Sequence, residues 1–267
     1  MYLLIDSGNT RIKWAFVTSA SLAATQPGAW LAQGAVRHAE SAQLASQWQA
    51  HLCAELSGVL IANVAGATAR NAISQQLSLV SPHIQPQWFS SQAQVAGVQN
   101  RYAEPTQLGC DRLCAVIGAQ AMLPGKNLLI ANCGTATTLD GLQADGQFIG
   151  GMILPGLALM AQSLARNTAQ LPQVSPDSQL PHSFADNTQD AIISGCVTAQ
   201  AGAIEKAVRE FEHRLAQPVH CVLSGGAAFA LAPALTIAHQ MLDNLVLLGL
   251  HRVLQAQGGV IALAPPL

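Results

Sequence analysis

Tyr2-Leu3-Leu4-Ile5-Asp6-Ser7-Gly8-Asn9-Thr10-Arg11-Ile12-Lys13-Trp14-Ala15-Phe16-Val17 opens the chain, and its reading decides the rest. Two apolar runs, 2–5 and 12–17, flank a short polar bend, which is the pattern of a β-hairpin. In the bend, Gly8 supplies freedom of backbone angle, Asn9 tolerates left-handed geometry, and Ser7 and Thr10 add hydroxyls. Successive amide N–H groups in such a turn converge into an anion-binding nest. Asp6 ends a buried strand, where a carboxylate is costly unless a cation, often a metal, compensates it. An acid for Mg²⁺, a nest for phosphate and Lys13 for charge make a nucleotide-handling set. The same residues also suit a plain polar hairpin with a solvated Asp, and this stretch alone does not choose.

The composition narrows the classes. Of 267 residues, 50% are hydrophobic and 10% charged, which excludes a disordered chain and allows one large or two modest domains. The net charge is −2 and no basic run occurs, so nucleic acid has no electrostatic footprint here. The most membrane-like stretch, 150–165, is short and carries Pro155, Gly156 and Gln162, so no spanning helix is expected. No basic segment precedes Asp6, which argues against a secretory signal. Cys53, Cys110, Cys114, Cys133, Cys196 and Cys221 lie in apolar surroundings without a CxxC pair. They read as buried thiols of a reducing compartment, and the cytoplasm is the expected location. The histidines, His38 and His251 among them, are isolated and read as structural or surface residues.

Along the chain, strands are expected at 30–36, 58–64 and, near an edge because of Pro86, at 83–89, with helices at 40–54 and 68–79. A long polar loop, 90–108, leads to Gly109-Cys110-Asp111-Arg112 and a helix through Met122. The pattern then restarts: an apolar strand at 127–132, a hydroxyl-rich bend at Cys133-Gly134-Thr135-Ala136-Thr137-Thr138, a strand at 139–142 and another at 146–150. Strand, Gly/Thr turn and strand thus occur twice, around residues 8 and 134, as in a duplicated α/β domain with a mixed sheet. Pro155 is expected to open a helix over 155–167. Segment 168–187 reads as a loop or lid, 190–215 and 245–255 as helices, 220–223 as a strand and 258–264 as a last strand. The division expected is 1–115 and 116–267, with the final helix packing back on the first domain.

Three further places carry chemistry. Gly109–Arg112 sets an acid and a guanidinium at a helix start. Asp111 is a helix cap there, or an acid that accepts a hydroxyl proton, with an ordinary pKa sufficient for phosphoryl transfer. Ser224-Gly225-Gly226-Ala227 follows an apolar strand and makes either a packing joint or a turn that lets backbone approach a flat ligand. Asn187-Thr188 caps a helix. Neither a Walker loop nor a GxGxxG fingerprint is present.

Taken together, in five ordered places covering most of the chain, the sequence resembles the type III pantothenate kinase family, which includes the Bvg accessory factor proteins. Residues 6–13 resemble its first phosphate motif (DxGNTxxK), 109–112 its GxDR motif, and 133–138 with Asp140 its second phosphate motif. Residues 187–195 resemble an NTxxAxxSG segment, and 223–228 the SGG adenosine turn. The resemblance implies a duplicated ribonuclease-H-like fold of the actin and sugar-kinase type, with ATP between the halves, and phosphorylation of pantothenate toward coenzyme A. By the matched positions, Asp6, Ser7, Gly8, Asn9, Thr10, Arg11, Ile12, Lys13, Thr135, Gly225 and Gly226 would bind ATP, with Asp6 near Mg²⁺. Asp111 would be the proton acceptor, and Tyr102, Gly109, Cys110 and Arg112 would line the pantothenate site. Thr188 would reach that site from the neighbouring subunit of a homodimer. Where the family has an Asp that holds K⁺ or NH₄⁺, this chain has Asn132. A regulatory protein on the same scaffold is the alternative.

Overall fold

The computed structural model describes residues 1–175 and 183–259. By contact, the chain divides into one unit of Met1–Pro124 with the chain from Leu245 onward, and a second of Gly125–Asn244.

The opening hairpin is β1 (Tyr2–Ser7) and β2 (Arg11–Val17), antiparallel with Asp6 opposite Lys13 and Ser7 opposite Ile12. A short helix, α1 (Ser19–Leu22), leads to β3 (Ala32–Arg37), which pairs with β2 so that Arg37 stands opposite Arg11. Next come a 3₁₀ turn, His38–Gln43, and α2 (Leu44–His51). The run 58–64 forms β4 (Gly58–Asn63), parallel to β1, with Ser7 opposite Asn63. After α3 (Gly66–Val80), β5 (Gln87–Trp88) is only two residues long and sits at the sheet edge, as Pro86 requires. The order is β3-β2-β1-β4-β5. Leu3, Ile5, Trp14, Phe16, Trp48, Ile61 and Ile73 fill the core on one face of this sheet.

The other face is closed by two helices from distant parts of the chain. The 90–108 segment is less a loop than expected: it contains a small hairpin, β6 (Gln94–Val95) and β7 (Val98–Asn100), and a 3₁₀ turn at Pro105–Gln107. Helix α4 (Cys110–Met122) then runs unbroken past residue 115, because Leu113–Ala119 are buried together. Against it lies α8 (Leu245–Ala256), buried nearly all round. A Cβ on Gly118 would strike the Leu245 carbonyl, and one on Gly249 the Cys114 backbone. Glycine at both points therefore sets how closely the helices approach.

The second unit repeats the plan. Strands β8 (Leu128–Cys133), β9 (Ala136–Leu142) and β10 (Gln147–Pro155) form an antiparallel meander. Pro155 ends β10 rather than opening a helix; α5 (Leu157–Asn167) starts two residues later, with Gly156 at its cap. Helix α6 (Thr188–Leu215) is capped by Asn187, whose Oδ1 accepts from the Asp190 N–H at 3.0 Å. Strand β11 (His220–Ser224) runs parallel to β8, and after α7 (Ala228–Leu231), β12 (His239–Met241) runs parallel to β11. The order β10-β9-β8-β11-β12 matches that of the first unit, strand for strand. The expected strand at 258–264 and the middle of the expected lid lie outside the described residues. Cys53 is exposed, against expectation, whereas Cys114, Cys133, Cys196 and Cys221 are buried.

Candidate active site

In the first unit the parallel strands β1 and β4 end level with each other, and α4 begins beside them: the Cys110 thiol donates to the Asn63 carbonyl at 3.6 Å. Carboxyl ends of parallel strands are where α/β proteins place ligands. Asp111, in the first turn of α4, folds back over the helix start, its Oδ1 accepting from the Arg112 N–H at 2.9 Å. Gly109 makes room, since a Cβ there would lie 2.6 Å from that oxygen. Arg112 is 6% exposed, and its guanidinium donates to the Tyr102 hydroxyl at 2.9 Å. Tyr102 is set by Asn100, whose Oδ1 accepts from its N–H at 3.1 Å while Nδ2 donates to the Pro105 carbonyl at 3.0 Å. Tyr102, Gly109, Cys110, Asp111 and Arg112 thus form one wall.

Burial dominates the electrostatics of this wall. Burial pushes the Asp6 carboxyl up to about 7; Lys13 pulls it down and the Asp111 charge pushes it further up. Burial also raises Asp111, opposed by the Arg112 N–H and guanidinium. The Cys110 thiol is pushed up to about 11, chiefly by burial, and stays protonated near neutral pH. A protonated thiol is a poor nucleophile.

The turn between β1 and β2 is closed by the Gly8 N–H donating to the Arg11 carbonyl at 3.1 Å. No residue from Ser7 to Arg11 has a positive φ, so the left-handed geometry anticipated for this bend is not used. A Cβ on Gly8 would sit 4.0 Å from Asp6 Oδ1, on the approach to that carboxylate. Asn9, Thr10 and Arg11 are exposed and Lys13 half-buried. The Ile12 side chain is fully buried, so only its backbone is available to a ligand. Ser7 Oγ is buried without a hydrogen-bond partner. His38, read as isolated in the sequence, contacts this turn: its Nε2 lies 2.7 Å from the Gly8 carbonyl. The expected strand at 30–36 held the signal, since a third strand paired to β2 must end beside the β1–β2 turn.

The second unit brings its own small-residue turns together. Ser224 pairs with Asn132, so the Gly225–Gly226 turn emerges beside Gly134 and Thr135. Gly225 has φ +91°, and a Cβ there would collide with the Cys133 backbone, whose carbonyl accepts from the Ala227 N–H at 3.0 Å. Gly156 donates to the Thr135 carbonyl at 3.0 Å. Asn132 is half-buried opposite Thr138, whose Oγ1 is buried without a hydrogen-bond partner. Asp140 is fully buried. Thr188 lies elsewhere in this unit, on a groove of about 630 Å³ between α5 and α6 lined by Met160, Leu164, Leu171 and Ile192.

The strand order repeated in the two units is that of the actin and sugar-kinase ATPase fold. Among solved structures, a proposed 2-dehydro-3-deoxygalactonokinase from Sinorhizobium meliloti has a TM-score of 0.57 at 17% identity, over 96% of this chain and 99% of that one. A proposed Baf family transcriptional activator from Campylobacter jejuni has a TM-score of 0.60 at 16% identity, over 97% and 100%. At such identities the likeness is of fold alone. The family model for type III pantothenate kinase matches residues 2–210, and the type III pantothenate kinase of Herminiimonas arsenicoxydans is 50% identical over 256 residues, 95% of this chain and 97% of the relative. The chain belongs to the type III pantothenate kinase family and is a kinase that phosphorylates pantothenate toward coenzyme A. Nothing found supports the regulatory alternative. Among the described residues no helix is long and apolar enough to cross a membrane.

Proposed function

We propose that the protein transfers the γ-phosphoryl group of ATP to the terminal hydroxyl of pantothenate, with Asp111 accepting the hydroxyl proton. The observation that carries this reading is that Asp6, at the end of β1, and Asp111, in the first turn of the neighbouring α4, are both buried and close enough for the Asp111 charge to bear on Asp6. A raised Asp111 is a better proton acceptor than an ordinary Asp, provided it is ionised when substrate binds. Arg112, fixed by Tyr102, supplies the cationic donor for the pantothenate carboxylate.

The residues suit Mg²⁺ arriving with the nucleotide. Among the described residues no group of three or more His, Cys, Asp or Glu is set to hold a metal unaided. Asp6 offers one desolvated carboxylate, and Mg²⁺ is commonly held by one or two carboxylates plus phosphate oxygens. When bound, the ion neutralises phosphate charge. Ser7, Gly8, Asn9, Thr10, Arg11, Ile12 (by its backbone) and Lys13 are the proposed phosphate contacts of the first unit, and Thr135, Gly225 and Gly226 the nucleotide contacts of the second. The unpartnered Thr138 Oγ1 and the Asn132 amide, on one face of the ladder, suit a monovalent cation, K⁺ or NH₄⁺. Thr188 is proposed to serve the pantothenate site of a partner in a cytoplasmic homodimer. Exposed Leu159, Leu164, Met152 and Ile153 in the same unit support such an interface.

ADP release by the purified protein with ATP and Mg²⁺, with and without pantothenate and with K⁺, NH₄⁺ or neither, tests the reading. Pantothenate-dependent turnover is expected. Turnover without pantothenate, or none under any condition from folded protein, would overturn it.

A further inference from the structure

We propose that His38 is a positioning residue for the phosphate-binding turn, acting through the Gly8–Asn9 peptide; this rests on reading the turn as a nucleotide site. His38 follows β3 directly. Because Arg37 stands opposite Arg11, the histidine is delivered to the side of the β1–β2 turn. The backbone of the preceding residue is held by Glu40, whose Oε2 accepts from the Arg37 N–H at 3.1 Å. The imidazole Nε2 then lies 2.7 Å from the Gly8 carbonyl oxygen. A carbonyl can only accept, so Nε2 carries the hydrogen and donates it.

In a tight hairpin turn, the carbonyl of the first residue usually accepts from the N–H three residues on. Here the Gly8 N–H donates to Arg11, while the Gly8 carbonyl is turned out to His38. The Gly8–Asn9 peptide is planar and trans, so its C=O and N–H point in opposite directions. Holding the oxygen toward His38 aims the Asn9 N–H the other way, on exposed backbone. Both residues flanking this peptide are permissive: Gly8 lacks a Cβ, and Asn tolerates a wide range of φ. Such a peptide flips at little cost. Flipped, it would present a carbonyl oxygen where a phosphate needs a donor. His38 removes that alternative without touching the ligand.

The test compares wild type, His38→Ala and His38→Gln, measuring affinity for a non-hydrolysable ATP analogue, KM for each substrate, kcat and Tm. His38→Ala is expected to weaken ATP binding and raise the ATP KM by roughly five- to tenfold, the worth of about one net hydrogen bond. The pantothenate KM should stay within about twofold, and kcat should fall less than the ATP KM rises. Glutamine keeps an N–H donor at similar reach and should recover most of the loss, which a purely structural or charge-based role would not predict. An unchanged ATP KM in His38→Ala overturns the proposal. Equal rises in both KM values, with glutamine as impaired as alanine, also overturn it. Wild-type protein that binds no ATP analogue would sink the nucleotide reading of the turn itself, and this role with it.

Discussion

Asp6 faces Lys13 directly across the β1–β2 ladder, yet burial outweighs the lysine's pull and holds the Asp6 carboxyl near pH 7. The native protein therefore keeps a proton on Asp6 between about pH 3.8 and pH 7 that the unfolded chain has already lost. The stability this group contributes is complete below the unfolded value and disappears as pH rises through 7. Asp6→Asn, neutral at every pH, should thus melt higher than wild type at pH 8, with the gap closing toward pH 5, while kinase activity is lost. Thermal melts of both proteins across that range check it; a gap independent of pH would contradict the assignment.

Asp111 lies in the first turn of α4, its Oδ1 accepting from the Arg112 N–H. Asp111→Asn keeps the shape and should keep nucleotide affinity, measured by calorimetry, while kcat falls by roughly 10²–10⁴, the usual worth of a general base. Near-wild-type turnover would remove Asp111 from proton transfer.

The glycines of two helices should behave in opposite ways. Gly249→Ala drives a methyl into the Cys114 backbone and should cost about 1–3 kcal/mol, read by urea denaturation. Gly202→Ala, at an exposed position of α6 with nothing near its added methyl, should instead stabilise by about 0.5–1 kcal/mol.

If a monovalent cation binds beside Asn132, as proposed, it meets an amide oxygen without charge. Asn132→Asp should lower the K⁺ concentration for half-maximal activity, since a carboxylate adds Coulombic attraction. Potassium titrations of both proteins at constant ionic strength decide it; an unchanged midpoint would place the ion elsewhere.

Much of this was readable before the structure because short-range chemistry decided it. The runs at 58–64, 127–132 and 220–223 became parallel buried strands, and the Asp6–Lys13 bend became a hairpin turn, since apolar runs bounded by turn residues have few other solutions. What escaped depended on distant partners. Pro155 has the chemistry of a helix start, yet β10 pairs through to it against Ala136. Residues 90–108 look polar and loose, but Asn100 is buried and bonded at both ends of its amide. His38 meets Gly8, thirty residues away, only because β3 pairs with β2, a pairing that the expected strand at 30–36 allows but does not by itself fix. The upward shift of Asp6 likewise follows from crowding that no local pattern encodes.

Because α8 closes the face of the first unit opposite its main core, that unit is assembled from the first and last parts of the chain, with the whole second unit made in between. During synthesis, α4 leaves the ribosome well over a hundred residues before the helix that covers Leu113–Ala119. A nascent chain must carry this apolar helix uncovered until α8 has been made. Loss of α8 would therefore uncover the helix whose first turn carries Asp111, leaving a product prone to aggregation and without activity.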